Sequence, residues 1–168
     1  MRTLITGANG LIGSHLAERL SAMGDEICLI SRESSGFQNF LDGKFKFKFG
    51  DITDSKFIFS IIESFNPDRV FHFAAQSFPN KSFKNASNTF RVNIEGTYNL
   101  LSAISDYSPN ATVFITGSSS EYAHSNQDDP INENYPLEPN NIYGISKLAD
   151  YYLSKIFFKT KQLKVIYI

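Results

Sequence analysis

Arg2-Thr-Leu-Ile-Thr6, then Gly7-Ala-Asn-Gly10-Leu-Ile-Gly13, then Ser14-His-Leu-Ala-Glu-Arg-Leu20 is the stretch that decides the fold. A β-type run enters a glycine loop and leaves as a helix, the context a dinucleotide-binding loop requires. The spacing is Gly-x-x-Gly-x-x-Gly, slightly different from the commoner Gly-x-Gly-x-x-Gly. Missing Cβ atoms let the backbone turn tightly and let a pyrophosphate approach the helix N-terminus, where free N–H groups and the macrodipole favour negative charge. Gly7, Asn9, Gly10, Leu11, Ile12 and Gly13 are therefore the expected cofactor-side contacts. A glycine turn that serves packing alone is the competing reading, and the strand–loop–helix order disfavours it. No Gly-x-x-x-x-Gly-Lys-Ser/Thr occurs, which argues against an NTPase.

Outward from this loop, apolar strands alternate with helical stretches, the pattern of a parallel sheet wrapped by helices. The first helix is expected over Ile12–Met23, stopped by Gly24, and the second strand over Glu26–Ser31. Phe45-Lys-Phe-Lys-Phe49 alternates strictly and predicts a half-exposed edge strand, its lysines guarding against sheet-to-sheet pairing. A helix over Ser55–Phe65 ends at Asn66-Pro67, and a fourth strand runs over Arg69–Ala74. A long helix is expected over Asn88–Ser105, a fifth strand over Ala111–Thr116, a helix from Tyr143 to about Thr160 and a sixth strand from Val165. The fold class predicted is α/β, a Rossmann-type doubly wound parallel sheet. The polar stretch Ser118–Asn141 holds three of the six prolines. It follows a strand at the sheet edge where such folds place their sites.

With 168 residues, a net charge of −1 and one cysteine, the chain reads as one domain with a substantial core. That charge gives no electrostatic case for nucleic acid or an anionic membrane. Cys28 sits in an apolar strand, so neither a disulfide framework nor a Cys-based metal site is expected, and no metal is assigned. No run of eighteen apolar residues occurs. A cytoplasmic address is the expectation.

Tyr143-Gly-Ile-Ser-Lys147 places a phenol and an ammonium one turn apart on one helix face. A phenol has a pKa of about 10, and a neighbouring positive charge favours its ionised form, which can accept a hydroxyl proton. Any amphipathic helix can produce this spacing, so the remaining motifs decide its meaning. After the second strand comes Ser31-Arg32-Glu33-Ser34-Ser35. With no acid at the first position and Arg32 next, the chain is read as binding NADP, with NAD possible because Glu33 could reverse the preference. Gly117-Ser-Ser-Ser-Glu121 faces the same sheet end; its serines can hold a substrate oxygen and Glu121 can take a proton from carbon, or the segment is a polar turn. His15 and His72 read as structural, and nothing singles out His124.

Together these features resemble the extended short-chain dehydrogenase/reductases that act on nucleotide sugars. The match is carried by Thr6–Gly13, Gly50-Asp-Ile-Thr-Asp54, His72-Phe-Ala-Ala-Gln-Ser77, Val92-Asn-Ile-Glu-Gly-Thr97, Ser118–Glu121 and Tyr143–Lys147. Within that family the chain is most similar to GDP-mannose 4,6-dehydratases, through Arg32–Asn39, Ala74-Ala-Gln-Ser77 and Ser119-Ser-Glu121. The resemblance implies Ser119, Glu121, Tyr143 and Lys147 as catalytic residues, Glu121 being the base and Tyr143 with Lys147 the redox pair. It implies that Asp51 and Ile52 border the adenine, that Ala74, Ala75 and Gln76 line the inner half of the cofactor, and that Ser77, Ser119 and Ser120 meet substrate. A sugar-nucleotide substrate and a homo-oligomer of the full-length protein follow from the same likeness. The family reads Glu-x-Tyr-Gly where this chain has Glu121-Tyr-Ala-His124, one residue short. Family chains are nearly twice as long, so residues 1–168 are expected to be the NADP-binding domain, truncated before the substrate domain. A 4-keto-6-deoxy-sugar reductase, a 4-epimerase and a cofactor-binding fragment without catalysis are the alternatives.

Overall fold

The computed structural model describes residues 1–32, 45–77, 79–123 and 130–168. Of the Arg32–Asn39 segment only Arg32 is described; residues 33–39, and His124, lie outside the described residues. Six strands, β1 (Arg2–Thr6), β2 (Glu26–Ser31), β3 (Lys46–Phe49), β4 (Arg69–His72), β5 (Thr112–Ile115) and β6 (Lys164–Tyr167), form one parallel sheet in the order β3-β2-β1-β4-β5-β6. The order reverses between β1 and β4. That switch point opens a crevice at the carboxyl ends, directly after Thr6 and His72. The Phe45–Phe49 segment does form the sheet edge, with Phe47 and Phe49 stacked at 5.6 Å.

Period-two alternation sends neighbouring residues to opposite faces of the sheet. Leu4, Cys28, Ile30, Val70, Val113 and Ile115 face one side. There they meet Ile58 and Ile62 of α2 (Ser55–Phe65), Leu100, Leu101 and Ile104 of α5 (Gly96–Tyr107), and Phe157 of α6 (Ile142–Lys161). Ile5, Ile27 and Leu29 face the other side, against Ala17 and Leu20 of α1 (Leu11–Ala22). Each such fully buried aliphatic side chain contributes about 1.5–3 kcal/mol of transfer free energy. On α6, Phe157 is buried and packs edge-on to Tyr98, whereas Tyr152 and Ile156 are exposed.

Two expected elements differ. The fourth strand ends at His72 rather than Ala74, because the Thr6 side chain replaces the ladder: Ala74 N donates to Thr6 Oγ1 at 3.2 Å. The helix expected over Asn88–Ser105 is helical throughout but changes its winding: α4 (Ala86–Phe90) passes through a π-helical turn (Arg91–Glu95) into α5, after a separate short α3 (Pro79–Lys84). Asn85 starts it again by capping Asn88 N at 3.2 Å. The wide turn carries the buried Asn93, and such single π turns often mark functional positions.

Candidate active site

Gly7 follows β1 with φ +66°, a left-handed conformation that L side chains rarely adopt. A Cβ there would stand 2.7 Å from the Ala74 nitrogen and the Phe73 carbonyl carbon, so glycine is required twice over. Gly10 starts α1 with no side chain capping the exposed N–H groups. Beside this loop lies a cavity of about 200 Å³, lined among others by Gly7, Asn9, Gly10, Ser31, Arg32, Ile52, Ala74, Ala75 and Ser77. Loop, helix start and cavity fit a dinucleotide: a Cβ would fill the cradle, and uncapped amides face the position a pyrophosphate needs. Leu11 and Ile12 have exposed side chains, so their contribution would be through backbone N–H groups.

Asp51 and Ile52 follow β3 at the same edge, and of the two only Ile52 lines the cavity. Asp51 does not line the cavity; its Oδ1 accepts from Thr53 N and Thr53 Oγ1, both at 2.9 Å, locking the turn. Asn99 Nδ2 donates to the Ile52 and Thr53 carbonyls at 3.3 and 3.2 Å. Gln76 is also outside the lining set. Its backbone pairs with Asn93: Gln76 N donates to Oδ1 at 2.7 Å, and Nδ2 donates to the Gln76 carbonyl at 3.3 Å and to Ser146 Oγ at 2.8 Å. Asn93 thus fastens the β4 loop to the Tyr143 helix. In the sequence it stands within a family motif without a role of its own; its signal was an amide among apolar helix positions.

His72 joins the two halves of the edge. Its Nδ1 lies 2.7 Å from Thr6 Oγ1 and its Nε2 lies 3.0 Å from Thr97 Oγ1. Burial, reinforced by the Lys147 charge, lowers its pKa from 6.5 to about 3. It is a neutral, fully bonded core histidine, in line with the structural reading.

At the other end, the segment Ser119–Glu121 forms a 3₁₀ turn capped by Ser118. Asn141 caps α6 by accepting from Gly144 N at 2.9 Å. A Cβ on Gly144 would come within 2.2 Å of the Ser120 carbonyl oxygen, so this glycine lets the serine turn lie on the helix. Ser119 and Ser120 line a separate shallow depression with Tyr122, Ala123, Ile131, Asn140 and Asn141.

Glu121 turns inward and is 3% exposed. Its Oε1 accepts from Ser118 N at 2.6 Å and from the Tyr167 hydroxyl at 2.8 Å. Burial raises its pKa above the usual carboxylate range, against the lowering effects of Tyr167, Ser118 N and Lys147. Lys147 Nζ donates to Asp150 Oδ2 at 2.7 Å, both side chains being buried. The ammonium is therefore paired with a carboxylate one turn further on. No described hydrogen bond joins it to Tyr143, because an ionic partner in a low-dielectric interior competes better than a neutral phenol. Asp150 itself is held above its ordinary range by burial, opposed by Lys147. The buried acid at position 150 and Tyr167 were both missed from sequence, having read as helix and strand positions only. Among the described residues, no cluster of His, Cys, Asp and Glu fits a metal ion. Among them, no helix is long and apolar enough to cross a membrane.

The switch-point crevice, glycine cradle and Tyr-x-x-x-Lys helix define the class of extended short-chain dehydrogenase/reductases. The family model described as GDP-mannose 4,6 dehydratase matches residues 4–168, and the chain belongs to that family. It is 36% identical over 163 residues to the GDP-mannose 4,6 dehydratase of Cricetulus griseus, covering 89% of this chain and 44% of the relative. The chain thus spans about half the length of the curated relatives it matches. Among solved structures it superposes on the UDP-glucose 4-epimerase of Thermus thermophilus in complex with NAD, with TM-score 0.93 and 27% identity, covering 99% of this chain and 54% of that one. It also resembles the dTDP-glucose 4,6-dehydratase of Streptomyces venezuelae with NAD bound, with TM-score 0.89 and 28% identity, covering 99% and 54%.

Proposed function

We propose that this chain is the NADP-binding domain of a nucleotide-sugar 4,6-dehydratase that converts GDP-mannose to GDP-4-keto-6-deoxymannose, with most sugar-nucleotide contacts made from outside these 168 residues. The observation that carries the reading is a glycine cradle and cavity on the same sheet edge as Tyr143 and Lys147, in a member of this family. For the cofactor, Arg32 lines the cavity beside Ser31, where a guanidinium suits a 2′-phosphate better than a free hydroxyl. The bound dinucleotide supplies a hydride acceptor that is restored in each turnover. Tyr143 takes the proton of the sugar 4-hydroxyl as C4 is oxidised, Ser119 holds that oxygen, and Lys147 supplies the positive charge one turn away. Glu121 then removes the C5 proton, acidified by the new 4-ketone, water leaves from C6, and the resulting C5–C6 double bond takes the hydride back at C6 and a proton at C5. Exposed Tyr98, Tyr152 and Ile156 on α5 and α6 support a homo-oligomer of the full-length protein.

The inward turn of Glu121 favours one second reading, a 4-epimerase, which needs no base at C5. Incubation of the full-length protein with NADP⁺ and GDP-mannose deuterated at C4 separates the two. Deuterium at C6 of a 4-keto-6-deoxy product supports dehydration. Deuterium retained at C4 of an epimerised sugar supports the epimerase, and unchanged substrate contradicts both.

A further inference from the structure

We infer that Tyr167 is a positioning residue for Glu121: its hydroxyl holds carboxylate oxygen Oε1 and leaves Oε2 as the atom that takes the C5 proton. The inference rests on the proposed base role of Glu121 and adds a residue to it. Tyr167 is on β6, 46 residues from Glu121, and its hydroxyl lies 2.8 Å from both Glu121 Oε1 and the Lys147 carbonyl oxygen. One phenol therefore ties the serine turn to the helix that carries Tyr143 and Lys147. Both described hydrogen bonds to the Glu121 carboxylate, from Tyr167 and from Ser118 N, end on the same oxygen.

The surroundings are shaped to this contact. A Cβ on Gly117 would stand 2.6 Å from Tyr167 Cε1 and 3.1 Å from Glu121 Oε1, so glycine makes room for the clasp. Tyr151 of α6 packs edge-on against the Tyr167 ring at 5.4 Å and fixes its plane. The phenol stays protonated: burial, then the Glu121 charge, raise its pKa well above the usual value. It therefore keeps its one proton, shared between Glu121 Oε1 and the Lys147 carbonyl oxygen, and the share given to Glu121 favours the ionised carboxylate. The other charged groups acting on Glu121 are Lys147, which favours ionisation, and Asp150, which opposes it. Tyr143 acts on the Tyr167 phenol in the same direction as Asp150.

The step it serves is balanced within the site. Glu121 Oε2 takes the C5 proton, the C5–H electron pair moves into a C4–C5 enolate, and reprotonation from solvent returns the ketone. A nucleotide 4-keto-6-deoxy sugar in D₂O reports this step as deuterium entering C5, with no net redox change. The test is Tyr167→Phe in the full-length protein, which keeps the ring and removes only the hydroxyl. It is read by ¹³C titration of the Glu121 carboxyl, assigned with Glu121→Gln, and by the pH profile of C5 deuterium entry.

In Tyr167→Phe the Glu121 midpoint moves to higher pH. Deuterium entry falls at least severalfold on the acid side and stays within about twofold of wild type on the alkaline plateau. An unmoved midpoint overturns the inference, as does a uniform loss at all pH values with an unmoved midpoint. If the midpoint moves but wild type exchanges no deuterium, the base role fails while the Tyr167 contact stands.

Discussion

The glycine-loop half and the serine-turn half of the site share one carboxyl edge of the sheet, yet their polar groups are used in opposite ways. Around Gly7, Gly10 and Arg32 the backbone leaves a cavity of about 200 Å³ and an uncapped helix start. Around Glu121, Tyr143 and Lys147 the charged groups are already paired within the protein, Glu121 with Tyr167 and Lys147 with Asp150. The first half gains its partners from a ligand. The second has internal partners that set orientation and protonation in advance, which is how a site is pre-organised.

If the serine turn is fixed by contact with α6, Gly144→Ala produces the largest effect. Its Cβ would stand 2.2 Å from the Ser120 carbonyl oxygen. Urea unfolding should show a loss of about 3 kcal/mol, in the upper range for overpacking. An unchanged midpoint would mean the turn and helix are not in contact.

The seam between the halves is tested by acid. His72 has its pKa lowered from 6.5 to about 3, so it binds a proton more readily unfolded than folded. Its contribution is fully present above pH 6.5 and is lost as pH falls toward 3. Between about pH 6.5 and 5 the loss is about 2 kcal/mol. Denaturation at both pH values should show this decline in wild type and a shallower one in His72→Gln.

The open half is sharpened by Arg32→Ala. Binding titrations should show NADP⁺ affinity falling about tenfold, roughly 1.4 kcal/mol, with NAD⁺ affinity nearly unchanged. Equal losses for both would remove the 2′-phosphate assignment.

Smallest is Glu121→Gln in the closed half. The raised carboxyl favours folding when protonated, and that contribution is lost as pH rises through its folded pKa. The amide still accepts from Ser118 N and Tyr167, so the variant should be more stable than wild type by about 1 kcal/mol at about pH 7. Thermal melts should show this margin shrinking as the pH is lowered toward the ordinary carboxylate range.

The same contrast explains what the sequence disclosed. Gly10, Gly13 and the positive φ of Gly7 act through local geometry, so residues adjacent in sequence carried that signal, whereas the close approach of Phe73 and Ala74 to Gly7 was not legible there. The helix over Ser55–Phe65 was legible for the same reason, since Asp54 caps it and Asn66 ends it in the left-handed conformation. The pairings of Glu121 with Tyr167 and of Asn93 with Gln76 span 46 and 17 residues. They depend on how β6 lies beside β5 and how a π turn is wound, which no local pattern encodes. Lys147 was legible as a position on a helix but not in its partner, because choosing Asp150 over Tyr143 is a matter of burial.

Whether the glycine-loop half is a formed NADP cradle is decided by calorimetric titration of this chain with NADP⁺ and NAD⁺. One equivalent of NADP⁺ should bind, more tightly than NAD⁺. No binding of either, or tighter binding of NAD⁺, would contradict it.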